Sequence, residues 1–404
     1  MADIIKLIVV FLLIVAALKF TKQLVLAMLT AAVAAAFLFQ LGLTNSLIIA
    51  GKSAISPMTY TTVLAFYTIT FLQRMLEKRN RLAKAQQCLN GIFNNRRINA
   101  SLSSIMVGML PSAAVVTIAG AMVDEAAGDS LDLEEKTFVA MYYRHVSEAF
   151  LPTYPGILIS VQLAGVALPG FLLGMIPVLI AIVAMGFVFY LRKIPKDTGH
   201  TASGNRLREV LKLFGNLWTI FAVVVVVIIF NIPVFAIVLG TAVLNIFIER
   251  FKWKELAPMF RSAFEWKLLL SAVLIMIFKD FIIASGVIEG MPAFFSQLPL
   301  PSFFIYMLII FFGSIVAGQQ AINVVTLPMA FAAGSGEGAP LFILLMTCGY
   351  CAMQISPTHI CLGIICEYFK TSMGAVIKKT IPVIFSVMAI TAIYYLILRQ
   401  FIVY

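Results

Sequence analysis

Arg144, His145 and Glu148 stand close together in otherwise apolar sequence, and His359 follows Pro357 in a second such stretch. Charge at membrane depth is expensive, so ionisable residues there mark a pathway by default. His145 and Glu148, three apart, share one helix face. They fit three roles: binding a substrate, relaying a proton, or forming a structural pair with Arg144. A neutral imidazole at 359 can donate to an oxyanion, and its unperturbed pKa of about 6.5 suits a coupling proton. Capping a broken helix end is the plainer role.

All four residues sit where apolar segments are interrupted. In the first half the interruptions are Leu110-Pro111-Ser112-Ala113-Ala114 and the stretch from Glu148 through Pro152, Tyr154 and Pro155 to Gly156. In the second half they are Gly318-Gln319-Gln320-Ala321 and the stretch from Gln354 through Ser356, Pro357 and Thr358 to His359. Gly318 lies 207 positions after Pro111, and Pro357 lies 205 after Pro152, about half of the 404 residues. An unpaired backbone N–H or C=O in hydrocarbon costs several kcal/mol, so such breaks persist only where protein or a polar cavity covers them. Matching breaks in two halves point to a substrate site near the midplane.

A helix that starts at a break offers free N–H groups and a partial positive charge, which suits a carboxylate or another oxyanion. Helix starts after Pro111, Gln320 and Pro357 fit this use. The candidate substrate-binding set is Pro111, Ser112, Ala113, His145, Glu148, Gly318, Gln319, Gln320, Pro357 and His359. Terminating carbonyls helped by side-chain oxygens suit a hard cation such as sodium. The candidate oxygens are Ser112, Thr117, Asn323, Thr326, Ser356 and Thr358. Ser and Thr in membrane helices also bond back to carbonyls or pack between helices. Asn323 is the stronger candidate because an amide needs partners at both its ends.

The elements that position these residues follow from composition and charge. Hydrophobic residues make up 62% and charged residues 12% of the chain, and the mean hydropathy is +1.02. That composition predicts an all-α polytopic membrane protein. Spans of at least about 17 apolar residues fit near 4–20, 22–42, 57–76, 138–165, 169–191, 209–230, 232–249, 265–284, 339–369 and 374–398. Segments 98–125 and 302–333 then read as re-entrant hairpins, with 138–165 and 339–369 as broken helices. The net charge of +11 reports topology rather than nucleic-acid binding, because the basic residues cluster in short loops. Ten crossings put both termini outside, and of the 29 Lys and Arg only Lys6, Lys52, Lys279 and Arg399 then fall outside. Five crossings per half is an odd number, so residues 1–200 and 201–404 should form inverted-topology repeats. Amphipathic stretches at 80–96, 252–263, 45–55 and 285–297 can lie flat at the interface.

Tyr142-Tyr143-Arg144-His145, Leu151 to Gly156, Ser356-Pro357-Thr358-His359-Ile360-Cys361-Leu362 and Glu367-Tyr368-Phe369 together resemble the DUF401 family of prokaryotic membrane proteins. The resemblance covers nearly the whole chain, and the Ser-Pro-Thr-His segment is its most specific part. It implies the ion transporter superfamily, a scaffold and a moving transport part in each half, a homodimer, and residence in the cytoplasmic membrane. First hairpin tips in such proteins are often Gly-rich, whereas this one reads Pro111-Ser112-Ala113-Ala114.

The expected function is cation-coupled secondary active transport of a small organic anion by alternating access. Sodium or a proton is the expected coupling ion, and no other cofactor or metal is expected. With no Lys or Arg but Arg144 near the breaks, a singly charged carboxylate fits better than a polycarboxylate. A sodium/proton antiporter of the same fold is the nearest alternative. A lipid-modifying enzyme would need a nucleophile or metal ligands around His145 and Glu148, and none stand there, so the chain is not expected to be an enzyme. No phosphate-binding Gly-rich loop, zinc-binding His-Glu-x-x-His or Gly-x-Ser-x-Gly turn occurs. The acidic run Asp124 to Glu135 reads as a solvated turn with helix-start carboxylates. Cys348 and Cys351 read as small residues packed between helices rather than a redox pair.

Overall fold

The computed structural model describes residues 2–21, 23–93, 95–109, 114–196, 205–230, 232–287, 299–332, 338–357 and 359–401, and among them all regular structure is helical. The helices of the first half are α1 (Ala2–Thr21), α2 (Leu24–Leu38), α3 (Leu43–Ala54), α4 (Pro57–Lys78), α5 (Arg81–Phe93), α6 (Arg96–Val107), α7 (Ala114–Ala127), α8 (Leu133–Arg144), α9 (Pro155–Ala164) and α10 (Leu168–Phe189). Those of the second are α11 (Arg206–Ile229), α12 (Val234–Ile248), α13 (Trp253–Ala263), α14 (Trp266–Ala284), α15 (Ser302–Ala317), α16 (Gln319–Ala332), α17 (Gly338–Gln354), α18 (Ile360–Tyr368) and α19 (Met373–Arg399).

Local chemistry sets many of the ends. Ser56 accepts from the Thr59 N–H with Pro57 in the first turn of α4, and Ser372 starts α19 in the same way. Asp132 and Glu135 form a capping box on α8. Gly165, at φ 65°, ends α9 in the left-handed region that glycine enters without a Cβ penalty.

The order of elements recurs. Helices of 20, 15, 12 and 22 residues open the first half, and helices of 24, 15, 11 and 19 open the second. A helical pair follows in each half, α6 with α7 and α15 with α16, then an interrupted pair, α8 with α9 and α17 with α18, then one long helix. The expected surface stretches appear as α5, α13 and α3; most of the fourth, 288–297, lies outside the described residues.

Among the described residues three helices are each long and apolar enough to cross a bilayer: α10, α11 and α19. Counting α3 with α4, bent by 51°, gives a fourth, and α2, α9, α12, α15 and α17 are shorter apolar helices. Large apolar side chains point outward, among them Ile180 at 65% and Phe247 at 74% exposure. An all-helical chain clad in apolar residues fits a membrane protein.

The helices pack in two groups. α1–α5 contact α11–α14, and α6–α10 contact α15–α19, each group drawing corresponding helices from both halves. Apart from the chain connections at α5–α6 and α10–α11, contact between the groups is sparse: α1 against α15, α4 against α9 and α14 against α16. Ion pairs follow the same division. Arg79 pairs with Glu249 and Glu255, Arg81 with Glu249, and Arg74 with Glu265, all in the first group. Lys193 and Lys379 pair with Glu135, Lys379 with Asp132 and Lys136 with Asp124, all in the second. Among the described residues no ion pair joins one group to the other.

Of the acidic run, Asp132, Glu134 and Glu135 stand at the start of α8, whereas Asp124 and Glu125 lie in the last turn of α7. Glu135 is buried rather than solvated, and with Asp132 it carries ionic ties to Lys193, just past α10, and to Lys379 on α19. Cys348 and Cys351 are buried and unpaired in disulfides within α17, with Cys348 Sγ against the Met307 carbonyl at 3.3 Å.

Candidate functional site

Each hairpin is held to the break of its own half by a serine. Ser147, in the 3-10 turn that follows α8, donates to the Ile105 carbonyl at 2.7 Å. Ser356, in the break after α17, donates to the Ile315 carbonyl at 2.7 Å. Tyr154 adds a bond to the Gly108 carbonyl, and a Cβ on Gly108 would overlap the Arg144 carbonyl oxygen. Glycine is required there so that hairpin and break can touch. In the second hairpin Gly318 makes the turn at φ 83° and ψ 148°, a region that disfavours side chains. Tyr306 on α15 donates to the Met329 carbonyl on α16 at 3.2 Å, which sets the two arms antiparallel.

The two breaks meet through their ionisable residues. His145 Nδ1 lies 2.6 Å from the Met141 carbonyl, which can only accept, so Nδ1 carries the proton. In the neutral ring Nε2 is then an acceptor. It faces Arg144 Nη1 at 2.7 Å and His359 Nε2 at 2.9 Å, so His359 donates through Nε2 and keeps a lone pair on Nδ1. Arg144 Nη1 also donates to Glu148 Oε1 at 3.1 Å and to Cys361 Sγ at 3.5 Å, while its Nε is buried without a protein partner. His145 is fully buried, whereas 19% of the Glu148 side chain is open. Structural pairing and access therefore coexist: Arg144 holds Glu148, and Glu148 still reaches a cavity.

That cavity, of about 370 Å³, is lined by Glu148, Gly156, Gly318, Gln319, Gln320, Asn323 and His359, together with Leu18 and Leu24. Three helix starts open on it. α9 begins beside Gly156 and α18 after His359, neither with a side-chain cap, and α16 begins at Gln319. Gly156 leaves room for Gln320, and Gly349 for Gln319, whose Nε2 donates to the Met346 carbonyl at 3.2 Å. Asn323 Nδ2 donates to Ser160 Oγ on α9 at 2.9 Å, tying the second hairpin to the first broken helix. Asn323 Oδ1 and Thr326 Oγ1, one turn apart on α16, are buried without a protein partner. An adjoining cavity of about 850 Å³ reaches Lys19, Ser314, Ser356 and Pro357.

Of the candidates named from the sequence, the structure gathers Glu148, Gly318, Gln319, Gln320, Asn323 and His359 on one cavity, with His145 bonded behind His359. Pro357 and Ser356 line the adjoining space, and Thr326 is buried below Asn323. Ser356 uses its proton on Ile315, so its first role is to clasp the hairpin. Thr117 is exposed on α7 and lines neither cavity. Pro111, Ser112, Ala113 and Thr358 lie outside the described residues.

Two contributors carried no sequence signal: Ser147 and Ser160 are ordinary residues until their partners arrive from elsewhere in the chain. Cys361 belongs to the segment that carries the resemblance, but its contact with Arg144 was not legible there. Lys19 corrects an expectation: a second cationic side chain stands near the breaks, because α1 packs against α15 and brings its last turn to the cavity. Its presence removes the argument from absent charge against a more highly charged substrate.

A family model described as a protein of unknown function, DUF401, matches residues 4–399. No curated protein matches the chain.

Proposed function

The chain belongs to the DUF401 family, and from its cavity we propose a cation-coupled secondary transporter that carries a small organic anion, a carboxylate, across the cytoplasmic membrane. The observation that carries this reading is the convergence of three helix starts on one cavity of about 370 Å³. N–H groups at helix starts hold an oxyanion with partial charges that are fixed in place. The glutamine amides beside them supply further donors, and Lys19 adds full positive charge at the adjoining cavity. On the same helix as this anion pocket, Asn323 Oδ1 and Thr326 Oγ1 offer unpartnered oxygens to a hard cation, the chemistry expected of a coupling sodium.

The location supports movement. Leu18 and Leu24 of the first packing group close the cavity, and everything else that lines it belongs to the second group. In this mechanism α6–α10 and α15–α19 form the carrying part, and α1–α5 with α11–α14 form the scaffold. The two halves are inverted repeats, with ten crossings made by pairing the shorter helices across their breaks. The place of the family in the ion transporter superfamily, the homodimer and the outward-facing termini belong to this same proposal.

One contact favours a second reading. His145 and His359 share a hydrogen bond at 2.9 Å between the two breaks, an arrangement that can take up and release a proton during exchange of sodium for protons.

Thermal unfolding of the purified protein against small carboxylates, each with sodium or potassium at two pH values, separates the two, because a ligand that binds the folded state raises its midpoint. A carboxylate-dependent rise that needs sodium, and that Asn323→Ala removes, is the expected result. A response to sodium and pH with no response to any carboxylate would replace symport by exchange.

A further inference from the structure

We propose that the groove between α6 and α10 binds a phospholipid with an anionic headgroup, at the point where two chain connections between the packing groups meet. The chain passes from the first group to the second between α5 and α6, and back between α10 and α11. These connections are fastened to each other. The Arg96 N–H donates to the Lys196 carbonyl at 3.2 Å. Arg97 donates through Nε to the Ile194 carbonyl at 2.6 Å and through Nη2 to the Arg192 carbonyl at 2.7 Å.

Beside this fastening lies a groove of about 740 Å³ with two unlike ends. Its length is apolar, with Ile176, Ile180, Val183 and Phe187 of α10 facing outward at 50%, 65%, 36% and 39% exposure. Its end is basic and polar, formed by Asn95, Arg97 and Lys196. From residue 176 to residue 191 a helix rises roughly 22 Å at about 1.5 Å per residue. That is enough to lay an acyl chain across one leaflet, about half of a hydrocarbon core of roughly 30 Å.

Among the described residues the charge at this end is not neutralised. Ion pairs among the described residues give Lys193 a carboxylate, Glu135, but give none to Arg96, Arg97, Arg192 or Lys196. Arg96 and Arg97 spend their N–H groups on neutral carbonyls and so keep full charge. Even with Asp197 next in the sequence, the set stays basic. A free anion would leave the apolar wall unused, and a neutral lipid would leave the basic end unused. An anionic phospholipid uses both, and seated there it would bear on both connections that any shift between the groups must bend.

This site rests on the membrane reading and not on what the central cavity carries, so a failed carboxylate screen leaves it standing. The test is thermal unfolding of the full chain in neutral detergent, titrated with phosphatidylglycerol, phosphatidylcholine or inorganic phosphate. Phosphatidylglycerol should raise the midpoint several degrees more than phosphatidylcholine. Lys196→Gln should weaken its half-saturating concentration at least threefold, and Ile180→Trp, which fills the groove, should do the same. Lys254→Gln, on exposed α13, should titrate as the parent does. Equal shifts from the two lipids, an equal shift from phosphate alone, or unchanged titration in both groove variants would overturn the proposal.

Discussion

At the scale of single residues, Arg144 holds the site together. Its guanidinium touches His145, Glu148 and Cys361 at once, so it neutralises a carboxylate and fixes an imidazole in one geometry. With its side chain 3% exposed, removing it strands Glu148. Breaking a buried pair from one side typically costs about 3–5 kcal/mol. Since Glu148 is partly open, Arg144→Gln is expected near the lower end, about 3 kcal/mol, read as a fall in the denaturation midpoint. Glu148→Gln leaves the more deeply buried Arg144 guanidinium without its counter-charge, so a loss of similar size is expected. A double variant, Arg144→Gln with Glu148→Gln, should lose clearly less than the two single losses added together, and strict additivity would mean that the ion pair matters little and packing dominates. The residue types at 144, 145, 148 and 359 were legible in the sequence because ionisable groups in apolar segments stand out. Their mutual contact was not, since 214 positions separate His145 from His359.

At the scale of elements, close approach and capping decide where the helices end. Gly108 permits the first hairpin to lie on the carbonyl of Arg144, and the atom in the way is backbone, which cannot swing aside. Gly108→Ala should therefore push the hairpin off the first break, destabilising the protein by about 1–3 kcal/mol as overpacking does. Carboxylate-dependent stabilisation should fall with it, and a variant that keeps both in full would remove this contact from the account. The surface helix α13 gives a pH-dependent case. Arg79 hydrogen-bonds Glu255 at 2.7 Å, the Lys252 N–H adds another bond, and together they bring the Glu255 carboxyl from 4.5 to about 2. A carboxyl lowered by folding adds stability above its unfolded pKa and loses it as pH falls through its folded one. Attachment of α13 to α4 should hold down to about pH 4.5 and weaken toward pH 2. Trp253 fluorescence on α13 can follow that change, and Glu255→Gln should remove the pH step. The hairpins and broken helices were legible as elements because Pro, Gly and polar runs interrupt apolar sequence. The serines that hold them were not, because Ser147 and Ser356 acquire their roles only when a carbonyl about 40 residues away is brought to them.

At the scale of the whole molecule, helices from both halves interleave into two groups with sparse contact and no ion pair between them among the described residues. A boundary of this kind can slide at low cost, because few bonds need to break. Leu18→Cys combined with Ala317→Cys, both on the cavity wall but in different groups, tests this directly. Bridging the pair with a short bifunctional thiol reagent should stop uptake in vesicles almost completely while leaving the unfolding midpoint unchanged or raised. Full uptake after bridging would mean that the groups do not move against each other. The sequence by itself determined that the chain is helical and apolar, that its second half repeats the order of the first, and which breaks carry polar residues. Those properties are local: hydropathy, helix-breaking residues and charge in loops are written within a few turns of chain. Only the tertiary structure decided that the breaks share one cavity, that Lys19 stands near it, and that each packing group is built from both halves. The physical reason is that a polar break in hydrocarbon must find partners, and in this chain the nearest partners in space lie half the sequence away.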